Sequence, residues 1–308
     1  GGKSLHSMDD AARLPPIGGS LAVTKDSFVV SPLFFPGGDI GSLAVYGTAN
    51  DLAVSGARPL YVTLSLIVEE GLPLAVLDRV LQSVAEAAGR ANVRIVAGDT
   101  KVVPRGAADG LFINTTGVGE LIEPVPPGPA LLREGDVLLV TGPVGRHGIA
   151  VLCAREELGL EPPPQTDSAP LVHIVQLLRE RLGNGLRAMR DATRGGVAAV
   201  LHEWAEASGL TMTIRDQDVP VSPDVHGACE LLGLDPLYVA NEGTMVVAVE
   251  ADVAQDALHA LHASPDSASA AAIGTVQPRR FSPVTVVRQL GREQPLDDPL
   301  GAPLPRIC

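Results

Sequence analysis

Residues 123–129 read Glu-Pro-Val-Pro-Pro-Gly-Pro, four prolines in seven positions. Proline fixes φ and has no N–H to donate, so neither a helix nor a central strand can run through this stretch. The chain must divide there. Its 308 residues suffice for two ordinary domains with their own cores. Residues 1–122 and 130–291 are read as those domains, joined by the proline-rich linker. Prolines gather again at positions 295, 299, 303 and 305, beyond a strand-like run at 284–287. Residues 292–308 are therefore expected to form an extended, flexible tail. It ends Pro305-Arg306-Ile307-Cys308, which puts a thiol on a tether.

The element pattern in both halves alternates. In the first, residues 21–30 read as strand, and Gly47-Thr48-Ala49-Asn50-Asp51 opens a helix that ends near Gly56. Residues 61–68 are rich in β-branched side chains and read as strand. Apolar residues at 74, 77, 81, 84 and 88 form a helical stripe. A short strand at 93–96 is expected to stop at Gly98-Asp99, and residues 111–116 give another. In the second half, 137–140, 245–249 and 284–287 read as strands. Residues 145–158, 171–182, 197–207 and 254–262 read as helices. The fold class is α/β (α+β), each domain a sheet covered by helices. Aromatics are only 3% of the chain, so Ala, Val and Leu must fill both cores.

Composition excludes several classes of function. A net charge of −13 argues against nonspecific binding to nucleic acid or to an anionic membrane. Every apolar run is broken before transmembrane length, and no signal peptide opens the chain. The sequence starts at Gly1 without Met, so preceding residues are expected. Cys153, Cys229 and Cys308 make no paired pattern, which suits a reducing, cytoplasmic compartment. Cys153 and Cys229 lie in apolar surroundings and read as buried and inert. Of 23 basic residues only Lys3, Lys25 and Lys101 are lysines. Arginine does not replace lysine where a compact ammonium is needed, so these three stand out.

Four aspartates sit at element ends beside small residues: Asp26, Asp51, Asp99 and Asp191. Singly, each reads equally well as a cap or turn residue. Together they look like oxygen ligands for a hard cation. Mg²⁺ takes one or two carboxylates and completes its shell with phosphate and water. Lys101 and Arg194 are cations suited to phosphate, and Gly195-Gly196 would let backbone N–H groups at a helix start face an anion. Asn241-Glu242-Gly243 precedes a strand and reads either as a turn or as an acid/base carboxylate at the mouth of a sheet. Gly1-Gly2-Lys3-Ser4 resembles the end of a phosphate-binding loop, but residues 5–16 soon run into prolines where a helix is required. Gly142 to Gly148 lacks dinucleotide-loop spacing. His259 and His262, one turn apart, have no third ligand nearby and read as a solvated or capping pair.

These segments, taken in order, closely resemble the HypE family of hydrogenase maturation factors. The segments are Asp26 with Phe34-Phe35-Pro36-Gly37-Gly38, Gly47 to Asp51, Gly98-Asp99-Thr100-Lys101, Asp191 to Gly196, Asn241-Glu242-Gly243 and the terminal Pro305 to Cys308. That family is a carbamoyl dehydratase within the aminoimidazole-ribonucleotide synthetase-like (PurM-like) ATP-binding superfamily. The resemblance implies a two-domain PurM-like subunit, a homodimer paired through the first domains, and ATP in the cleft between domains. It implies that Asp26, Asp51, Asp99 and Asp191 serve Mg²⁺ and the phosphates. Asn50, Thr100, Arg194, Gly195, Gly196 and Asn241 would join them around the nucleotide. Lys101 would contact the reacting group, Glu242 would accept a proton, and Cys308 would carry the substrate. It further implies a HypF-like carbamoyltransferase that loads Cys308 and a HypC–HypD-like complex that receives cyanide at iron. Two rivals remain open: a small-molecule phosphotransferase resembling selenophosphate synthetase or thiamine-monophosphate kinase, and a non-catalytic ATP-bound scaffold.

Overall fold

The computed structural model describes residues 11–299 together with Leu304 and Ile307. The first domain holds β1 (Leu21–Phe28), the small hairpin β2 (Phe34–Phe35) and β3 (Gly38–Asp39), α1 (Ile40–Val54), β4 (Ala57–Glu69), α2 (Leu74–Arg90), β5 (Arg94–Val103) and β6 (Leu111–Leu121). Its sheet runs β1-β6-β4-β5, antiparallel except for the parallel β4/β5 pair. Side chains alternate across each strand, so one face packs on α1 and α2 and the other faces outward. On β1, Phe28 is buried while Leu21, Val23 and Lys25 are exposed.

Helix α1 starts seven residues before the expected Gly47. Asp39 caps it, accepting from the Gly41 and Ser42 backbone N–H groups, and the Ser42 hydroxyl accepts in return from Asp39 N. This reciprocal cap satisfies helix-end donors that would otherwise be orphaned. The helix is buried along most of its length, between the first sheet and the second domain. Gly117 of β6 makes that approach possible, because a Cβ there would lie 2.6 Å from Thr48 Cγ2. Strand β5 also runs further than expected. Gly98 does not end it but lets it lie close to β4, where a Cβ would sit 2.9 Å from the Leu64 carbonyl oxygen.

The second domain contains β7 (Val137–Val140), α3 (Arg146–Arg155), α4 (Val172–Leu182), β8 (Leu186–Asp191), α5 (Gly196–Ser208), β9 (Thr211–Arg215), α6 (Pro223–Leu232), β10 (Met245–Val249), α7 (Ala254–His262), β11 (Ala271–Gln277), β12 (Val284–Val287) and β13 (Glu293–Pro295). Its seven-stranded sheet runs β13-β12-β9-β11-β7-β10-β8. On one face Val140, Ile214 and Val246 pack against Val197, Leu201 and Trp204 of α5. On the other, Leu139 and Val247 pack against Ile174 and Leu178 of α4, joined by Ala53 and Val54 of α1. Both cores are thus built mainly from aliphatic side chains.

The tail departs from the expected flexible segment at 292–308. Glu293, Gln294 and Pro295 pair with β12 at the edge of the sheet, where a proline is tolerated because no outer strand needs its N–H. Leu296 is buried, and its carbonyl lies 3.0 Å from His202 Nε2. Tyr238 donates its hydroxyl to the Asp297 carbonyl at 2.8 Å. Ile307 is buried in the core of the first domain. The linker is held as well: Arg179 of α4 donates to the Gly56, Ile122 and Pro124 carbonyls. No helix among the described residues is long and apolar enough to cross a membrane.

Candidate active site

A cleft of about 520 Å³ opens between the domains. Asp26 reaches it from the inner face of β1, Asp51 from the last turn of α1 and Asp191 from the end of β8. Glu242 enters from the loop before β10. Arg194 and Gly195 line it at the start of α5, and Pro299 of the tail closes one side.

Four carboxyl groups in one partly dry cleft oppose one another's ionisation. Burial and the negative charge of Asp51 push Asp26 up to about 6, with Arg194 pulling the other way. Burial and Asp51 push Asp191 up to about 7, against the pull of Arg190, whose Nε lies 3.8 Å away. Glu242 is held well above the usual carboxylate range by burial, then by Asp191 and Asp167. Asp51 accepts from the Thr24 hydroxyl at 2.7 Å, whereas Asp26 Oδ2 is buried without a hydrogen-bond partner. An orphaned carboxylate oxygen in a cluster of like charge suits a hard cation. Among the described residues no three His, Cys, Asp or Glu converge closely enough to hold a metal alone. The donor set therefore fits a cation that takes one or two carboxylates and shares the rest of its shell with phosphate oxygens.

The start of α5 lines the same cleft, a site suited to an anion by its free N–H groups and helix dipole. Gly195 and Gly196 are both left-handed, at φ of +78° and +63°. A Cβ on Gly196 would sit 2.5 Å from the Leu237 carbonyl oxygen, so only glycine brings the helix end this close to that loop.

Asn50 and Asn241 bond to backbone groups around the cleft. Asn50 donates to the Ala169 and Glu242 carbonyls and accepts from Leu171 N. Asn241 accepts from Gly145 N at 2.7 Å and donates to the Ala192 and Val239 carbonyls. Both are almost fully buried, with their amides committed to backbone. They fix the loops that carry Glu242 and Asp191.

Asp99, Thr100 and Lys101 are not brought to this cleft within one chain. They lie on β5, at the edge of the sheet opposite β1 and three inter-strand spacings away, roughly 14 Å. Asp99 and Lys101 pair with Ser65 and Ile67 on the outward face and bond each other at 3.0 Å, both well exposed. Lys3 and Cys308 fall outside the described residues.

Three residues that no local sequence pattern marks, Asp167, His147 and Thr166, lie behind the loop that carries Glu242. The Asp167 carboxylate accepts from Glu242 N at 3.0 Å and Gly243 N at 3.1 Å. A Cβ on Gly243 would fall 1.8 Å from the Asp167 carbonyl oxygen, which is the one local sign that a second segment presses against Asn-Glu-Gly. His147 and Thr166 bond each other beside it. Cys153 and Cys229 are buried together, and burial pushes both thiols up, Cys229 to about 11. His262 bonds the Ala270 carbonyl at 2.8 Å, a structural contact at the end of α7.

Known proteins resemble the chain across both domains. Residues 8–121 match the AIR synthase related protein N-terminal domain, and residues 133–286 match the AIR synthase related protein C-terminal domain. The chain is 50% identical over 299 residues to carbamoyl dehydratase HypE of Escherichia coli strain K12, covering 97% of this chain and 88% of that protein. A solved HypE in complex with ATP superposes with a TM-score of 0.94 at 42% identity, covering 100% of this chain and 92% of the other. The solved HypE–HypF complex contains a chain that matches at TM-score 0.88 and 44% identity, covering 97% and 96%. Thiamine monophosphate kinase from Aquifex aeolicus shares the fold at TM-score 0.66 and 20% identity, with 96% of each chain covered.

Proposed function

Because the chain belongs to the HypE family of carbamoyl dehydratases, we propose that it dehydrates an S-carbamoyl group on its own Cys308 to a thiocyanate at the expense of ATP. The reaction is placed in the interdomain cleft. One observation carries this reading: the described residues nearest Cys308 in the chain pack onto the two domains that form that cleft. Pro299 lines it, and Ile307, which precedes Cys308 in the chain, is buried in the first domain's core.

The chemistry asks for what the cleft supplies. The oxygen of a thiocarbamate leaves poorly. Transfer of the γ-phosphoryl group of ATP to that oxygen forms an O–P bond and releases ADP. The C–O bond then breaks, phosphate departs, and the C–N bond becomes triple once both N–H protons are lost. Glu242, buried beside the cleft, is the group placed to hold one of these protons. Arg194 and the start of α5, which line the cleft, would hold the phosphates. Asp26, Asp51 and Asp191 would hold Mg²⁺, which when bound balances the charge of the transferring phosphoryl group. The reaction requires the cleft to exclude water, which would otherwise hydrolyse the activated group.

A homodimer paired through the first domains would cover the outward sheet face, where Leu21, Val23 and Ile67 are exposed. It is also the route by which Asp99, Thr100 and Lys101 reach a cleft, from the other copy. A HypF-like carbamoyltransferase would load Cys308, in keeping with the solved HypE–HypF complex. A HypC–HypD-like complex would take the cyano group to the iron of a [NiFe] hydrogenase, all in the cytoplasm.

Release of ADP by the carbamoylated protein tests the reading. Wild type should form about one ADP per carbamoyl group, and Cys308→Ala should form none. A Cys308→Ala variant that still turns ATP over on an added small phosphate acceptor would replace the dehydratase with a small-molecule kinase.

A further inference from the structure

Helix α3 begins Arg146-His147-Gly148, and His147 is fully buried in its first turn. No step of the proposed chemistry uses it. Its Nε2 lies 2.9 Å from the Ile307 carbonyl oxygen, and its Nδ1 lies 2.8 Å from Thr166 Oγ1. A carbonyl oxygen only accepts, so Nε2 must carry the proton. Burial, together with the nearby helix N-terminus, disfavours the imidazolium. In the neutral ring Nδ1 is then an acceptor, filled by the Thr166 hydroxyl, whose oxygen in turn accepts from Ser168 N at 3.0 Å. The tautomer is thus fixed by Thr166. Phe35 of the first domain braces the ring edge-on, with centroids 5.4 Å apart and planes at 88°. Leu304 packs beside it, 3.5 Å from where a Cβ on Gly148 would stand.

We propose that His147 is the latch that holds the C-terminal tail in the docked position, by donating Nε2–H to the Ile307 carbonyl, with Thr166 setting its tautomer. His147 is a positioning residue, because it acts on the tail backbone and not on the reacting atoms. The latch is coupled to the active site through one short segment. Thr166 orients His147, and its neighbour Asp167 holds the Glu242 and Gly243 backbone N–H groups. Docking of the tail and placement of Glu242 therefore depend on the same loop. The part the tail plays in catalysis rests on the dehydratase reading, but the latch itself does not.

Limited trypsin digestion of the full chain, without ATP or carbamoyl donor, tests the latch separately from the chemistry. Trypsin cleaves after Arg306, and a docked, buried Ile307 withholds that bond, so cleavage follows tail opening. Intact mass reports the loss of Ile307-Cys308. Losing one buried hydrogen bond should raise the rate roughly ten-fold in His147→Phe, which keeps an aromatic ring but no donor. Thr166→Val should act in the same direction by freeing the tautomer, and His147→Gln, whose amide can donate to the carbonyl, should restore most of the protection. Resistance of Cys153 and Cys229 to alkylation reports that each variant is folded. Wild-type cleavage rates in folded His147→Phe overturn the latch. If His147→Phe exposes the buried thiols, a folded Thr166→Val cleaved at the wild-type rate overturns it instead. A wild-type tail cleaved as fast as a free peptide of the same sequence also overturns it.

Discussion

Asp191 shows how a single side chain ties stability to function. Its carboxyl titrates near 7 in the fold against an ordinary value of 3.8, so between those limits the folded chain binds the proton that the unfolded chain releases. Stability then falls as pH rises from about 4 to about 7 and stays reduced above it. Asparagine mimics the protonated form at every pH. Without divalent cation, Asp191→Asn should match wild type in denaturant melts near pH 4.5 and exceed it at pH 7.5 by on the order of a few kcal/mol. Added Mg²⁺ should narrow that gap by stabilising the wild type alone. A gap that is the same at both pH values would mean that Asp191 is already relieved of its charge strain by other means. The carboxylates of this cluster were legible in the sequence, since each stands beside small residues at the end of an element. His147, Thr166 and Asp167 were not. Their partners lie 160, 19 and 75 positions away, and no local pattern records such contacts.

At the scale of elements, the start of α5 does the most to shape the cleft. Gly196→Ala must relieve both a left-handed φ and a contact of 2.5 Å with the Leu237 carbonyl oxygen. We expect a loss of about 2 kcal/mol or more in thermal or denaturant unfolding. Nucleotide affinity measured by calorimetry should fall further than that of Gly209→Ala, at the other end of the same helix, where no atom lies within 4 Å of the added Cβ. Equal affinity in the two variants would remove α5 from the phosphate site. Long periodic segments such as α2 and α4 could be read directly from their apolar spacing, and β10 from its unbroken apolar run. The start of α1 could not, because Asp39 caps it through a turn that hydrophobic periodicity does not register. The face on which Asp99 and Lys101 project was equally hidden. It depends on the β4/β5 register, which shifts between Val62 and Thr63.

Across the whole molecule, the two domains behave as one body with a shared interior. Ala53 and Val54 of α1 enter the core of the second domain, and Val151, Ala240 and Ile307 enter that of the first. Arg179 fastens the linker that the prolines had marked as a boundary. The separation of the two larger sheets was legible because four prolines in seven residues leave no room for a helix or a central strand. The docking of the tail was not, since Leu296 and Ile307 are single apolar residues in a segment that reads as extended coil. The proposed reaction requires a thiol that enters an ATP cleft and leaves as a thiocyanate. The measurement that tests this most directly is mass spectrometry of the C-terminal peptide after incubation with the carbamoyltransferase, carbamoyl phosphate and Mg-ATP. The expected result is a carbamoyl adduct on Cys308 that loses the mass of one water only when ATP is hydrolysed. An adduct that persists while ADP accumulates, or a tail that stays unmodified while ATP is consumed, would contradict it.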